Sequence, residues 1–564
     1  RTHSSSEAGL GPPSLGLGKP AGGGQCVVMA DTVTVNDLLD GHAALDIECL
    51  DRIYLNGYVP NLQVGGQVVT FLTRHLGYPI PSPAVFAKLG ASFRAAVATF
   101  AREKQIPVVR FGKDDRKIDV MRRYVDKQAA TGESGVAAIG VAQEFQNVFD
   151  AAQRDVGTGV PWFSFYKTDR RVSCFYFYLW DADFGPAFIK VCAYFPYPIK
   201  VWVNGHEWAK RQATRAGIGF TELSNGFAAC EDPAGLQVIC DRLGPAQIEA
   251  FFESWCTRLP LPLNGTDRAA GYWWELSMRQ IEISKTIVFD APRHARAFFE
   301  ALVADNLDVG RPDTVELVFT GKHERRGHPR KQPLTFKSKV VTRDTEVVVN
   351  AFYKHSRIKQ YLKDGRALRI ETVVNSPDDL RCHRRLQHLN ELQAKARDVN
   401  ARLLDTERVG QGCVLASPAF ERVALPSVID GRRAPALRFG DPRVMALLGA
   451  LCVGLNALGF THRSLRAQVN RLLGSAYTAN QMSYDLGKLR LNGLIERREH
   501  TNTYTLTPDG QRVAIFYTKV HHRLLRPLLA ADQPPAPAEL RTALAAIDQH
   551  VHGYIDHARL GTAA

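Results

Sequence analysis

At 564 residues the chain is long enough for three or four domains of ~150 residues. Its 45% hydrophobic, 23% charged and 9% aromatic content excludes disorder throughout and a disulfide-stapled mini-protein. Lys and Arg number 71 against 57 Asp and Glu, a net charge of +14 that puts polyanions first among partners.

The 10 cysteines include no Cys-x-x-Cys pair, so zinc-ribbon and zinc-finger spacings are absent, and the thiols read as reduced side chains of a cytoplasmic protein. No run of ~18 residues is both apolar and uncharged, and no membrane partner is expected.

The first 24 residues hold 14 Gly, Pro or Ser and lack the apolar stretch of a signal peptide, so residues 1–28 are expected to form a disordered tail. Residues 29–150 alternate helical and extended patterns: an apolar stretch at 68–76, a Pro-rich break at 79–83, an amphipathic run at 85–104 and a short apolar strand ending at Phe111. This alternation predicts a mixed α/β module. The cations that follow, from Lys113 to Lys127, read as a solvated helix face.

Residues 151–376 carry the densest strand signal. The runs 171–180 and 187–195 are aromatic and β-branched, separated by the turn-forming Asp181-Ala-Asp-Phe-Gly-Pro186, and predict a hairpin. A third strand at 199–203 leads through Asn204-Gly205 into a helix carrying Glu207, Lys210 and Arg211. With a Trp-rich strand near 272–284 and strands at 315–320, 345–353 and 367–374, this predicts an α+β body with an antiparallel sheet. Strands 345–353 and 367–374 are expected to face each other across a basic connection, residues 354–366. Residues 377–440 read as a helical connector.

Residues 441–530 show three helical patterns, the second and third opened by Thr461 and Thr478, then a hairpin near 496–506 and a last helix after Thr507-Pro-Asp-Gly510. Three helices and a β-wing predict a winged helix. Residues 531–564 form an accessory tail. The expected architecture is a multidomain α+β protein with an antiparallel-sheet body and a C-terminal winged-helix domain.

In a winged helix the third helix enters the major groove. Gln481, Lys488 and Arg490 on it, with Arg497 and Arg498 in the wing, are candidate DNA contacts, since Gln can pair with adenine and Arg or Lys with guanine or phosphate. The segment Leu489-Arg-Leu-Asn-Gly-Leu-Ile-Glu-Arg-Arg498, followed by Tyr504-Thr-Leu-Thr-Pro-Asp-Gly510, resembles winged-helix transcription regulators over roughly 70 residues.

Residues 322–369 carry 14 Lys or Arg against four acids. Arg325, Arg326, Lys354, Arg357, Lys359 and Lys363, with Tyr353 and Tyr361 interleaved, are candidate nucleic-acid contacts, because rings among cations suit unpaired bases and phosphates together.

The segment Phe352-Tyr-Lys-His-Ser-Arg-Ile-Lys-Gln-Tyr-Leu-Lys-Asp-Gly-Arg-Ala-Leu-Arg-Ile-Glu371 resembles the end of the nicking domain in filamentous-phage and plasmid rolling-circle initiators, where a Tyr-x-Lys strand leads by a basic connection to a Leu-Arg-Ile-Glu strand. The resemblance implies Tyr353 or Tyr361 as nucleophile. Those nickases also use a metal-binding His-x-His pair on a strand, and the only such spacing here, His550-Val-His552, falls in the tail. More broadly the chain resembles a large family of hypothetical proteins of environmental and soil bacteria that carry a C-terminal winged helix.

A metal-dependent centre would draw carboxylates from strand ends. Candidates are Asp181 and Asp183 at the hairpin turn, Glu207 at a helix start, Glu275 and Glu282 around the Trp-rich strand, and Glu371. Mg²⁺ is the implied ion only if such a site exists; composition alone names no cofactor. Gly-rich phosphate loops, a Gly-x-Ser-x-Gly elbow and a His-Glu-x-x-His pair are absent, which excludes the common motor, hydrolase and metalloprotease signatures. The expectation is a protein that binds nucleic acid, DNA first, in replication or mobility of a genetic element. The alternatives are a metal-dependent nuclease or replication initiator, and a protein-interaction scaffold.

Overall fold

The computed structural model of the chain describes residues 35–520, apart from 155–161, 310–313, 319–336, 344–345, 410–417, 430, 453–458 and 475, together with isolated positions between 542 and 550. Arg325, Arg326, His552, the expected tail at 1–28 and most of the expected tail at 531–564 lie outside the described residues.

The body is α+β, with a large and mainly antiparallel sheet. Fourteen strands are named in chain order: β1 (Ala43–Tyr58), β2 (Val108–Arg110), β3 (Gly135–Arg154), β4 (Trp162–Asp181), β5 (Gly185–Cys192), β6 (Ile199–Asn204), β7 (Phe220–Leu223), β8 (Gly226–Cys230), β9 (Glu275–Phe289), β10 (Thr314–Val318), β11 (Lys337–Arg343), β12 (Glu346–Tyr353), β13 (Ser356–Lys363) and β14 (Ala367–Val374). Twelve of these form one sheet in the order β10-β11-β12-β13-β14-β9-β1-β6-β5-β4-β3-β2, while β7 and β8 make a separate hairpin. The sheet runs through the boundary drawn at residue 150: β1 pairs with β9 on one side and β6 on the other, so the first strand is the spine of the body.

Period-two alternation assigns the faces. In β6, Ile199, Val201 and Val203 are buried while Lys200, Trp202 and Asn204 are half-buried. Ile53, Leu55, Ile281, Ile283, Ile189 and Val191 continue the buried set. Helix Pro83–Glu103 adds Val85, Phe86, Phe93, Val97 and Ala101 to that core, and helices Pro233–Arg242 and Pro245–Cys256 add Leu236, Ile239, Phe251 and Trp255. Pro83–Glu103 is the one helix among the described residues long and apolar enough to cross a membrane, by length and composition alone.

The expected 181–186 hairpin is the β4–β5 turn. Asp181 Oδ1 accepts from the amides of Asp183 and Phe184 at 2.9 and 3.0 Å, an Asx turn that closes the chain locally.

The expectation for residues 354–366 is corrected. They are not a loop: β13 inserts there, bounded by turns in which Lys354 (φ 51°) and Asp364 (φ 49°) adopt left-handed backbone. Ser356, Ile358 and Gln360 face inward in alternation with Arg357, Lys359 and Tyr361, so a strand that buries one face is favoured over an exposed finger.

The connector helix Leu389–Val409 lies across β9 and β14, where buried Asn400 donates to the Ile283 carbonyl at 3.1 Å and accepts from Thr372 Oγ1 at 2.7 Å. Beyond it, helices Pro442–Cys452, His462–Leu473, Ala479–Leu491 and Pro508–Lys519 surround a three-stranded sheet. Thr461, Thr478 and Thr507 cap the last three helices through their hydroxyls. The core of this unit also contains Ala419, Phe420, Val423 and Leu437, so its packing begins upstream of residue 441.

Candidate functional site

The apolar alternation of β1 slips at Leu50-Asp51-Arg52. A bulge there pairs Leu50 with Ile283 and Arg52 with Glu282, leaving Asp51 as the extra residue and turning its carboxylate inward. The helix Gly205–Arg215, N-capped by Asn204, starts against this bulge. A Cβ at Gly205 would lie 1.7 Å from the Leu50 carbonyl oxygen, so only glycine permits the approach. The β7–β8 turn closes from the same side: Asn225 donates to Asp51 Oδ1 at 2.8 Å, and a Cβ at Gly226 would meet Arg369 Nη1 at 2.9 Å.

Three carboxylates converge in this space. Asp51, Glu282 and Glu371 are each buried and offer oxygens within 4.8 Å of one another. The register produces this, because Glu371 stands opposite Ser284 and Glu282 opposite Arg52 on adjacent strands. Arg369, fully buried, donates to Asp51 Oδ2 at 2.9 Å, to the Asn225 carbonyl at 2.9 Å and to His206 Nε2 at 2.6 Å, and its Nε lies 3.3 Å from Glu371 Oε1. His206 Nε2 also lies 3.1 Å from Ser284 Oγ, and its Nδ1 is buried without a hydrogen-bond partner. Tyr361 donates to Glu371 Oε1 at 2.8 Å and Lys359 to Oε2 at 3.1 Å.

Electrostatics separates the three acids. Burial raises the pKa of Asp51, but Arg369, then His206 and Arg52, outweigh it and hold the group well below its ordinary value. Glu282 moves the other way: burial raises its pKa, and Lys359 and Arg52 only partly oppose this. Its Oε1 accepts from Gln280 at 2.8 Å, whereas Oε2 accepts no hydrogen bond and has its nearest cations, Arg52 and Lys359, at 3.9 Å. Burial, then the Glu371 charge, raises the Tyr361 phenol. A buried carboxylate oxygen without a donor costs free energy; an oxygen-only donor set with one such atom is a fit for a hard divalent cation.

Of the carboxylates singled out in the sequence, Glu371 and Glu282 meet here. Asp181, Asp183 and Glu207 belong to no group of three donors within 4.8 Å among the described residues. The reason is local in each case. Asp181 is occupied by its turn and by Trp255 Nε1 at 2.8 Å, Asp183 pairs with Arg215, and Glu207 pairs with Lys210 at 3.0 Å and Arg211 at 2.9 Å. Glu275 accepts from the Tyr58 hydroxyl at 3.1 Å at the far end of β9.

Tyr353 ends β12 and Lys354 is exposed in the turn after it. Lys359 and Tyr361 are drawn into the acid cluster, Arg357 is half-buried on the same strand, and burial lowers the pKa of Lys363. Asp51, Arg369 and His206 were missed. Their signal was the phase slip at Leu50–Arg52 and the arginine inside Leu-Arg-Ile-Glu.

In the C-terminal unit Arg490 is exposed. Gln481 Oε1 instead accepts from the Thr478 amide at 2.8 Å as part of the helix cap. Lys488 is half-buried, with its pKa lowered by burial. Arg497 braces its own turn through the Thr501 carbonyl and Asn502, both at 2.8 Å. Arg498 ties the unit to the connector helix through Asp398 at 2.8 Å. Gln481, Arg497 and Arg498 thus have intramolecular partners.

No protein-family model, no curated protein and no solved structure matches this chain.

Proposed function

We propose that this chain binds DNA and cuts one strand of it by transesterification at the Asp51, Glu282 and Glu371 centre, with Tyr361 as nucleophile. The observation that carries the reading is that three buried carboxylates offer oxygens within 4.8 Å of one another and one of them, Glu371, accepts from the Tyr361 hydroxyl. Asp51, Glu282 and Glu371 would hold a divalent ion such as Mg²⁺, which supplies Lewis-acid polarisation of a phosphodiester oxygen when bound.

The chain's own residues account for the rest. Glu371 takes the Tyr361 proton as the phenolic oxygen attacks phosphorus. A tyrosyl phosphodiester forms, the P–O3′ bond breaks, and the departing 3′ oxygen leaves as a hydroxyl after protonation from solvent. Arg369 keeps Asp51 ionised and holds Glu371 in place. The acids of the centre are joined to Lys359 and half-exposed Arg52, which suit the flanking phosphates.

The arrangement of the C-terminal helices and hairpin supports a winged-helix reader that delivers the body to duplex DNA, with exposed Arg490 as a contact. Together these features suit initiation of replication or transfer of a genetic element.

The test is incubation of the full chain with end-labelled single-stranded DNA and Mg²⁺. The expected products are a 3′-hydroxyl fragment and a protein–DNA adduct on a denaturing gel. Tyr361→Phe removes the adduct while DNA binding persists, and Glu282→Gln removes both products. Cleavage that survives Tyr361→Phe and Glu282→Gln would overturn the assignment.

A further inference from the structure

The face that carries Glu282 does not end at the acid cluster. Toward one end of β1 it is covered, with Cys49 against Cys240 of helix Pro233–Arg242. Past Arg52, whose side chain is half exposed, the cover thins, although Lys190 at the far edge is buried. The cross-strand rows that follow are Gln280–Tyr54–Trp202–Phe188 and then Asn56–Lys200–Lys190, all set by register. Tyr54, Trp202, Phe188 and Lys200 are half-buried and Arg279 is exposed, whereas aromatic residues on the opposite face, such as Phe177 and Phe195, are fully buried.

The rings form a continuous surface. Trp202 and Phe188 stack with centroids 5.8 Å apart and planes 8° from parallel. Tyr54 meets Phe188 edge-on at 6.1 Å, and buried Tyr178 backs Phe188 at 5.8 Å. Cations border it: Lys200 Nζ stands 5.6 Å from the Tyr54 centroid and Arg279 stands 5.7 Å from it. Burial, then Arg279 and Lys190, lower the pKa of Lys200 to about 8. Gln280 joins this surface to the centre, because its side chain donates to Glu282 Oε1 at 2.8 Å.

We infer that the Tyr54, Trp202, Phe188, Lys200 and Arg279 surface is a platform for single-stranded DNA that leads the unpaired strand to the carboxylate centre. The inference rests on the proposed cleavage for what the strand is brought to. The occupant follows from chemistry. Half-buried rings beside cations complement bases and phosphates together, and a base can stack on a protein ring only when it is free of its own helix. Duplex DNA, whose bases are already stacked, presents phosphates but no free ring face. Continuity with Glu282 argues for the same strand at both places.

The test uses the full chain and fluorescence anisotropy with a labelled oligothymidylate of about 20 nucleotides, against a duplex of equal length. Wild type binds the single strand more tightly at one salt concentration. Trp202→Ala weakens that binding by about fivefold or more, and Trp202→Phe restores most of it, because stacking needs a ring. Lys200→Gln with Arg279→Gln shrinks the log-log salt slope by roughly 0.7 for each phosphate that the pair no longer neutralises.

Equal affinity of wild type and Trp202→Ala, equal losses in the Ala and Phe variants of matched circular dichroism, or duplex bound as tightly as single strand would each overturn the platform. Glu282→Gln separates the two readings. Undiminished single-strand binding in that variant supports a platform independent of cleavage. A wild type that never cuts, yet depends on Trp202 for single strands, leaves the platform standing and removes the cleavage reading.

Discussion

Two charged knots lie on the same face of the sheet and behave in opposite ways. In one, Glu144 receives Lys117 and the Tyr176 hydroxyl on Oε1 and Lys190 on Oε2. Burial alone would raise its pKa, but these three donors pull it down to about 2. In the other, Glu282 has one oxygen bonded and one without a donor, and burial wins. Cations are near both; what differs is whether they come within hydrogen-bond range. A carboxylate whose oxygens are both bonded braces the strands it joins, whereas one held among acids and short of donors is poised for a ligand.

The largest expected effect comes from breaking the second knot at its centre. Arg369→Met leaves Asp51 buried without its main cation and Glu371 with Lys359 alone, and should cost ~3–5 kcal/mol, read as a fall in the urea midpoint. A loss near zero would show that solvent enters the cluster freely.

Next, Glu282→Gln should raise stability in metal-free buffer by ~1–2 kcal/mol, because it removes a buried charge short of donors. The gain should be larger at neutral pH than at pH ~4. With a raised pKa the folded state holds its proton longer than the unfolded chain, so wild-type stability falls as pH rises through the interval above the ordinary Glu value. Mg²⁺ should raise the melting temperature of wild type and not of this variant. A variant stabilised by Mg²⁺ as much as wild type would place the ion elsewhere.

The smallest effect concerns the first knot. Glu144→Gln should cost ~1 kcal/mol, limited by solvent at the edge of the cluster. Its pH dependence has the opposite sign. Glu144 contributes stability above the ordinary Glu value, and this is lost as pH falls toward about 2. Acid titration of the variant should lack that part of the slope, and an unchanged slope would mean the two lysines do not hold Glu144 in solution.

Much of this molecule was legible from local pattern. The 181–186 turn, the threonine caps at 461 and 478 and the extended runs of β5, β6 and β14 follow from residue types within a few positions of one another. For the same reason Glu371 and Tyr361 could be picked out beside the Leu-Arg-Ile-Glu run.

What pattern could not supply was which distant strand each would face. Asp51 and Glu371 are 320 positions apart in the chain and meet because β1 sits beside β9 and β9 beside β14. The bulge that frees Asp51 and the glycine that admits the helix at residue 205 make sense only once that order exists. The basic run at 354–366 reads as a loop for a related reason. Composition records charge, but only pairing decides that Lys359 is spent on Glu371 while Lys200 and Arg279 border an open row of rings. Side-chain identity determines what a residue can do, and strand order determines what it is next to.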